Sequence, residues 1–251
     1  MNFGGSMKTL RLLILFLLLT SPAFGAFSLV ASNPECNTYN STTCAITFTG
    51  VTAGHSLAVA ISLVDGDTIT SVTCTGESNL TLIGSPQGGN SDFVSFQWAY
   101  LSNVTSSGDK TITITRDNGN YNLAGIAYEI IGCNTTACYD SGAEGGEGGS
   151  GYTGTVTLTT GSANDLLLIA AYSGSNHSNW TAPTGYTEVP FAFNSHWSTA
   201  YNLDVGAAGS KTPAWPFVGF APYTVKGAAF KLSGGGGPTP TRRRGMGALF
   251  Y

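Results

Sequence analysis

Charge is scarce in this chain. Only 10% of its 251 residues are Asp, Glu, Lys or Arg, and the formal net charge is −4. Outside Arg242-Arg243-Arg244 the basic residues are scattered, so the body lacks the clustered cationic face that displaces counterions from nucleic acid. An amphipathic helical stripe is missing as well: apolar residues fall at i, i+3, i+4 and i+7 only inside largely apolar runs such as Leu57 to Val64, without the polar face that marks a surface helix. Histidine is sparse, and His55, His177 and His196 lie in separate segments, where surface or turn positions are expected for them. No Gly-x-Ser-x-Gly elbow accompanies them, so no catalytic triad is written locally. An acid and base for glycoside cleavage must converge from separate strands, yet Glu144 and Glu147 share one glycine run and Asp65 and Asp67 one turn.

What the chain has in quantity is glycine, 34 residues, and short apolar runs that make up its 42% hydrophobic content. Both point to β structure. Leu57 to Leu63 and Leu166 to Tyr172 are continuous apolar runs of strand length, and Thr111 to Thr115 alternates apolar and polar residues. Ala99-Tyr100 through Val104, Gly108, Lys110 and Thr111 returns as Ala200-Tyr201 through Val205, Gly209, Lys211 and Thr212 at one fixed offset. The recurrence predicts an all-β chain, a β-sandwich of jelly-roll or Ig-like type built from two related halves, about 45–131 and 154–232, within one domain over 26–232. Residues 140–151, Asp140 to Gly151, are so glycine-rich that they read as a flexible crossover between the halves.

The N-terminus reads as an address. Lys8 and Arg11 precede the apolar run Leu12 to Leu19, and small Ala23 and Gly25 stand before a cut at Ala26, which makes 1–25 a secretory signal peptide. A transmembrane anchor would need about 20 apolar residues. The expected location is therefore secreted, periplasmic or cell-surface, where disulfides form. Cys36 with Cys44 and Cys133 with Cys138 are the expected pairs, leaving Cys74 as a small buried hydrophobe in a strand. Beyond the body, residues 233–251 form a Gly/Pro linker and a tail in which three arginines precede Met246, Leu249, Phe250 and Tyr251. That tail is expected to reach a membrane surface or a partner's groove, or else to be a loose end.

Thr52 to Ala60, Ser71 to Thr73 with Asn79 to Ile83, Ala163 to Leu167, and Trp180 to Thr187 resemble a broad group of exported bacterial and phage-associated β-sandwich proteins, mostly of unknown function. The resemblance implies a fold and carries no catalytic residue. Trp98, Trp197 and Trp215 are expected in the core by strand parity and by the recurrence, and Trp180 there in preference to a surface platform. Asp65 and Asp67 are weak calcium candidates, with a hairpin turn the preferred reading, and no cofactor is expected. Asn-x-Ser/Thr sequons at Asn40, Asn79, Asn103, Asn134, Asn176 and Asn179 arise by composition.

Where the first half has the polar loop Asp117 to Tyr121, the second has the apolar stretch Pro216 to Tyr223. Exposed aromatics mark contact surfaces, so Phe217, Phe220 and Tyr223, with Tyr121, are the candidate binding residues. The expected function is an exported non-catalytic binding or structural module on a cell or virion surface, its small ligand a glycan and its other partner a surface or virion protein. The alternative is a secreted carbohydrate-active enzyme on a jelly-roll scaffold.

Overall fold

A computed structural model describes residues 26–30, 33–63, 66–88, 94–119, 121–174, 181–192 and 196–233. The signal segment, the tail after Ser233, Asp65, His177 and Trp180 lie outside the described residues. All regular structure in the described residues is strand: β1 (Ser28–Leu29), β2 (Glu35–Tyr39), β3 (Thr43–Val51), β4 (Ser56–Leu63), β5 (Ile69–Cys74), β6 (Thr81–Gly88), β7 (Ser95–Leu101), β8 (Gly108–Arg116), β9 (Asn122–Ile131), β10 (Tyr139–Thr155), β11 (Leu158–Thr160), β12 (Leu166–Ser173), β13 (Thr187–Pro190), β14 (Trp197–Asn202), β15 (Gly209–Lys211) and β16 (Ala214–Phe230). No helix among them is long and apolar enough to cross a membrane.

The two halves share one strand order. In the first, β9-β4-β7-β6 forms a sheet with β1 and β2 on the outer side of β9, faced by β3-β8-β5; in the second, β10-β16-β12-β14-β13 is faced by β11-β15. Strands β4, β7 and β9 thus correspond to β12, β14 and β16. Every pairing between these strands is antiparallel. The recurrent signature has a mechanical reason in this arrangement. Gly108 and Gly209 adopt nearly the same left-handed backbone, φ 129° and 128°, which only glycine enters freely. Beside them Lys110 Nζ donates to Glu77 Oε1 at 2.6 Å, and Lys211 Nζ donates to the carbonyls of Val205 and Ala207. In each half the lysine ties down the turn that feeds the outer sheet.

Three cores result. Ile46, Val59, Ile61, Val72, Ile112 and Ile114 fill the first sandwich, and Val156, Leu158, Leu167, Ile169 and Trp215 fill the second. The opposite parity of the same central strands fills a third core between the halves: Ala58, Ala60, Phe96, Trp98, Tyr128 and Ile130 meet Leu166, Leu168, Ala170, Trp197 and Phe230. Both central sheets are therefore buried on both faces, which is why β4 and β12 read as unbroken apolar runs. Polar contacts cross the same seam, including Trp98 Nε1 to the Lys226 carbonyl at 3.2 Å and Lys226 Nζ to the Ser85 carbonyl at 2.6 Å. Trp98, Trp197 and Trp215 are all buried.

The glycine-rich segment differs from expectation. It is no flexible crossover but β10, paired with β16 from Tyr139 to Thr155. Its glycines answer a packing demand: a Cβ on Gly145 would stand 1.9 Å from the Thr157 carbonyl oxygen, and one on Gly146 would stand 2.7 Å from both Gln87 Cγ and the Val225 carbonyl oxygen. The apolar stretch 216–223 is likewise no loop, because it belongs to β16. Prolines are tolerated there because β12 ends its pairing at Ser173 opposite Tyr223. Before Tyr223, β10 is the only strand paired with β16 among the described residues, so a missing N–H on the other edge costs little.

Two disulfides form as expected. Cys36–Cys44, with Cα atoms 5.9 Å apart, joins β2 in the central sheet to β3 in the outer one. Cys133–Cys138, with Cα atoms 5.2 Å apart, closes the connection from β9 to β10. Cys74 is free and buried.

Candidate functional site

At the end of the molecule where β4 and β12 finish, the two central sheets part and leave a cleft of about 280 Å³. One wall comes from the first half, with Asn37 and Tyr39 of β2 and Tyr121 and Asn122 at the start of β9. The other comes from the second half, with Tyr172 of β12 and His196 and Trp197 at the start of β14. Tyr39 and Tyr121 are more than half exposed, whereas Trp197 is buried as part of the floor. Trp197 packs on Phe191 with ring centroids 4.0 Å apart, and among the described residues its indole Nε1 has no hydrogen-bond partner. His196 Nδ1 lies 3.1 Å from the Ser173 carbonyl oxygen. Among the described residues the lining contains no Asp, Glu, Lys or Arg. It offers aromatic faces and neutral amides, a combination suited to an uncharged polar ligand.

The tyrosine wall is held from behind. Arg116 ends β8 and has a fully buried side chain. Its Nε and Nη2 donate to the Ser41 carbonyl at 3.1 and 3.0 Å. Nη2 also donates to the Tyr121 carbonyl at 2.8 Å, while Nη1 donates to the Asn122 carbonyl at 3.2 Å and to Asp67 Oδ2 at 2.8 Å. Tyr121 has φ 73° and Asn40 φ 53°. The left-handed region is unfavourable for a tyrosine and recurs where surrounding structure imposes it. Asn40 and Tyr121 also bind each other, through Asn40 N to the Tyr121 carbonyl at 3.1 Å and Tyr121 N to Asn40 Oδ1 at 3.3 Å.

The four aromatics expected to bind ligand are not brought together. Tyr121 stands in the cleft. Phe217 and Tyr223 point into the second core, their rings 5.2 Å apart. Burial and the adjacent Glu147, which accepts a 2.7 Å hydrogen bond from the Tyr223 hydroxyl, push that phenol up to about 12. Phe220 is exposed on the ribbon that β10 and β16 form beyond the sheet, edge-on to exposed Tyr152 at 5.7 Å. Strand parity explains the split, since Phe217 and Phe220 fall on opposite faces of one strand. Asp67 is spent on Arg116, and among the described residues no cluster of three or more His, Cys, Asp or Glu could hold a metal ion.

Two titratable pairs escaped the sequence reading. His55 Nδ1 is 2.5 Å from Glu129 Oε1, which also accepts the Thr52 amide at 3.1 Å. Asp140 and Asp165, far apart in sequence and both buried, face each other with Lys231 Nζ 3.9 Å from Asp140 Oδ1. Among the described residues neither Asp165 oxygen receives a well-formed hydrogen bond. Burial, then hydrogen bonding and repulsion from Asp140, push its carboxyl up to about 8 against the weaker pull of Lys231 and the Ser162 backbone. None of these residues lines the cleft. The only sequence signal for either pair was the position of His55 and Asp165 at the start of an apolar run.

The chain matches no family model and no curated protein, so the fold and the cleft stand on their own.

Proposed function

We propose that the chain is an exported, non-catalytic binding or structural module of a cell or virion surface, and that its end cleft holds an uncharged glycan. One observation carries the ligand class: two exposed tyrosines, Tyr39 and Tyr121, flank a cleft whose polar groups include the neutral amides of Asn37 and Asn122. Sugar rings present C–H faces to aromatic side chains and hydroxyls to amides, and such a site binds them without desolvating a charge. A carbohydrate-active enzyme would need an acid and a base facing the ligand, and among the described residues the cleft lining has no carboxylate. The disulfides and the sequence address at 1–25 support export.

Glycan-array binding of the wild type against Tyr39→Ala and Tyr121→Ala tests the reading. Each substitution should weaken the strongest neutral hit about tenfold, a loss near 1.4 kcal/mol. Undiminished binding in both variants removes the cleft as the site. Immunogold labelling that finds the protein only inside the producing cell removes the surface role.

A further inference from the structure

We infer that Arg116 is a positioning residue for this cleft, setting the tyrosine wall in its binding geometry before any ligand arrives. The inference rests on the cleft reading above. All five N–H donors of the guanidinium are used: two on the Ser41 carbonyl, one each on the carbonyls of Tyr121 and Asn122, and one on Asp67. Capturing two successive carbonyls, Tyr121 and Asn122, from one planar fork requires the chain to fold sharply at Tyr121, which matches its left-handed φ of 73°. The third carbonyl, Ser41, belongs to the turn after Tyr39 and follows Asn40, itself left-handed at φ 53°. One guanidinium therefore fixes the backbone next to both exposed tyrosines. Asp67 supplies the counter-charge that lets a cation sit fully buried behind a neutral cleft.

The arrangement exceeds what chain connection alone needs. A hairpin from β8 to β9 could close on residues that adopt φ > 0 readily, such as Gly119 in the same connection. Here the strained position is given to the residue whose ring forms the wall. Holding two rings in place lowers the ordering cost that binding would otherwise meet. Lysine cannot replace the fork, because an ammonium has three donors on a flexible stem and no planar pair.

The test is a double-mutant cycle, with the best binder among cellotriose, maltotriose and triacetylchitotriose as probe. Arg116→Lys should weaken binding about tenfold in the wild type and less than about threefold in a Tyr121→Ala background, because most of its effect passes through that ring and only the remainder through Tyr39. A purely structural arginine would lower thermal stability in both backgrounds and weaken binding by the same factor in both, and that result overturns the proposal. Amide hydrogen exchange gives a readout without ligand. Arg116→Lys should accelerate exchange at Asn40 and at Ala127 in β9 differently, with Asn40 at least about tenfold faster and Ala127 unchanged. Unchanged exchange at Asn40 also overturns it. If no trisaccharide binds the wild type, the glycan reading fails and exchange alone judges the clamp. Should Arg116→Lys not fold, Asp67→Asn keeps the fork, removes its counter-charge, and should show the same pattern at smaller amplitude.

Discussion

His55 and Asp165 occupy the same place in the two halves. Each immediately precedes a central strand, and the carbonyl of each accepts a backbone hydrogen bond from a signature valine, Val104 N to His55 at 2.8 Å and Val205 N to Asp165 at 3.1 Å. Their side chains have diverged. His55 is hydrogen-bonded to the buried Glu129 of β9, whereas Asp165 is set against a second carboxyl group, Asp140, with Lys231 at the sequence place corresponding to Glu129.

The carboxyl pair makes stability pH-dependent. The folded-state value for Asp165 is raised to about 8 from an ordinary 3.8, so between those values the native state holds a proton that the unfolded chain releases. Its contribution is present in full below pH 3.8 and is lost as pH rises through 8. Melting temperature should therefore fall from pH 5 to pH 9, and Asp165→Asn should flatten that slope and melt higher than wild type at pH 9. Thermal melts followed by circular dichroism decide it; parallel profiles for the two proteins refute the shared proton.

Glu77 behaves in the opposite sense. Burial raises its carboxyl, but hydrogen bonds from Lys110, Thr105 and Ser106 outweigh that and hold it at about 2. Its contribution is present above pH 4.5 and is lost as pH falls through 2. Glu77→Ala leaves the Lys110 ammonium buried and unpaired, so urea unfolding at pH 7 should show a loss of about 3–5 kcal/mol.

Glycines of β10 should divide by the space around them. Gly145→Ala drives a methyl group into the Thr157 carbonyl oxygen and should cost about 1–3 kcal/mol or prevent folding. Gly151→Ala meets its nearest neighbour, Tyr223 Cε1, at an ordinary 3.6 Å. It should be neutral or stabilise by about 0.4–1 kcal/mol through the unfolded chain. Equal effects at both positions would mean that the strand is no more constrained than a linker.

Phe217 and Phe220 should separate stability from surface contact. Phe217→Ala empties a buried site and should lower unfolding free energy by about 3–5 kcal/mol. Phe220→Ala, on an exposed ring, should stay within about 0.5 kcal/mol of wild type. Neither should alter glycan binding at the cleft.

The recurrence was legible because its residues do local work in each half: Val104 and Val205 bond the residue before the central strand, Gly108 and Gly209 turn the chain, and Lys110 and Lys211 tie the turn. Doubly buried strands were legible from unbroken apolar runs. Strand β10 was not, because its glycines are dictated by Thr157, Gln87 and Val225, contacts that no local pattern records. Tyr121 was found as an aromatic in an otherwise polar turn, but Tyr39, Tyr172 and His196 were missed. They meet only because two sheets from different halves diverge at one end. Phe217 and Tyr223 misled for the converse reason: composition marked the segment as apolar, while both rings turn to the buried side of β16 and join the second core.

The third core has a consequence for how the molecule comes apart. Trp98 and Phe96 from one half and Trp197 and Phe230 from the other are buried by each other's sheets, so releasing either half exposes a full apolar face on both. Such a seam makes partial unfolding about as costly as complete unfolding. Heat or denaturant should dissolve the two halves in one cooperative transition.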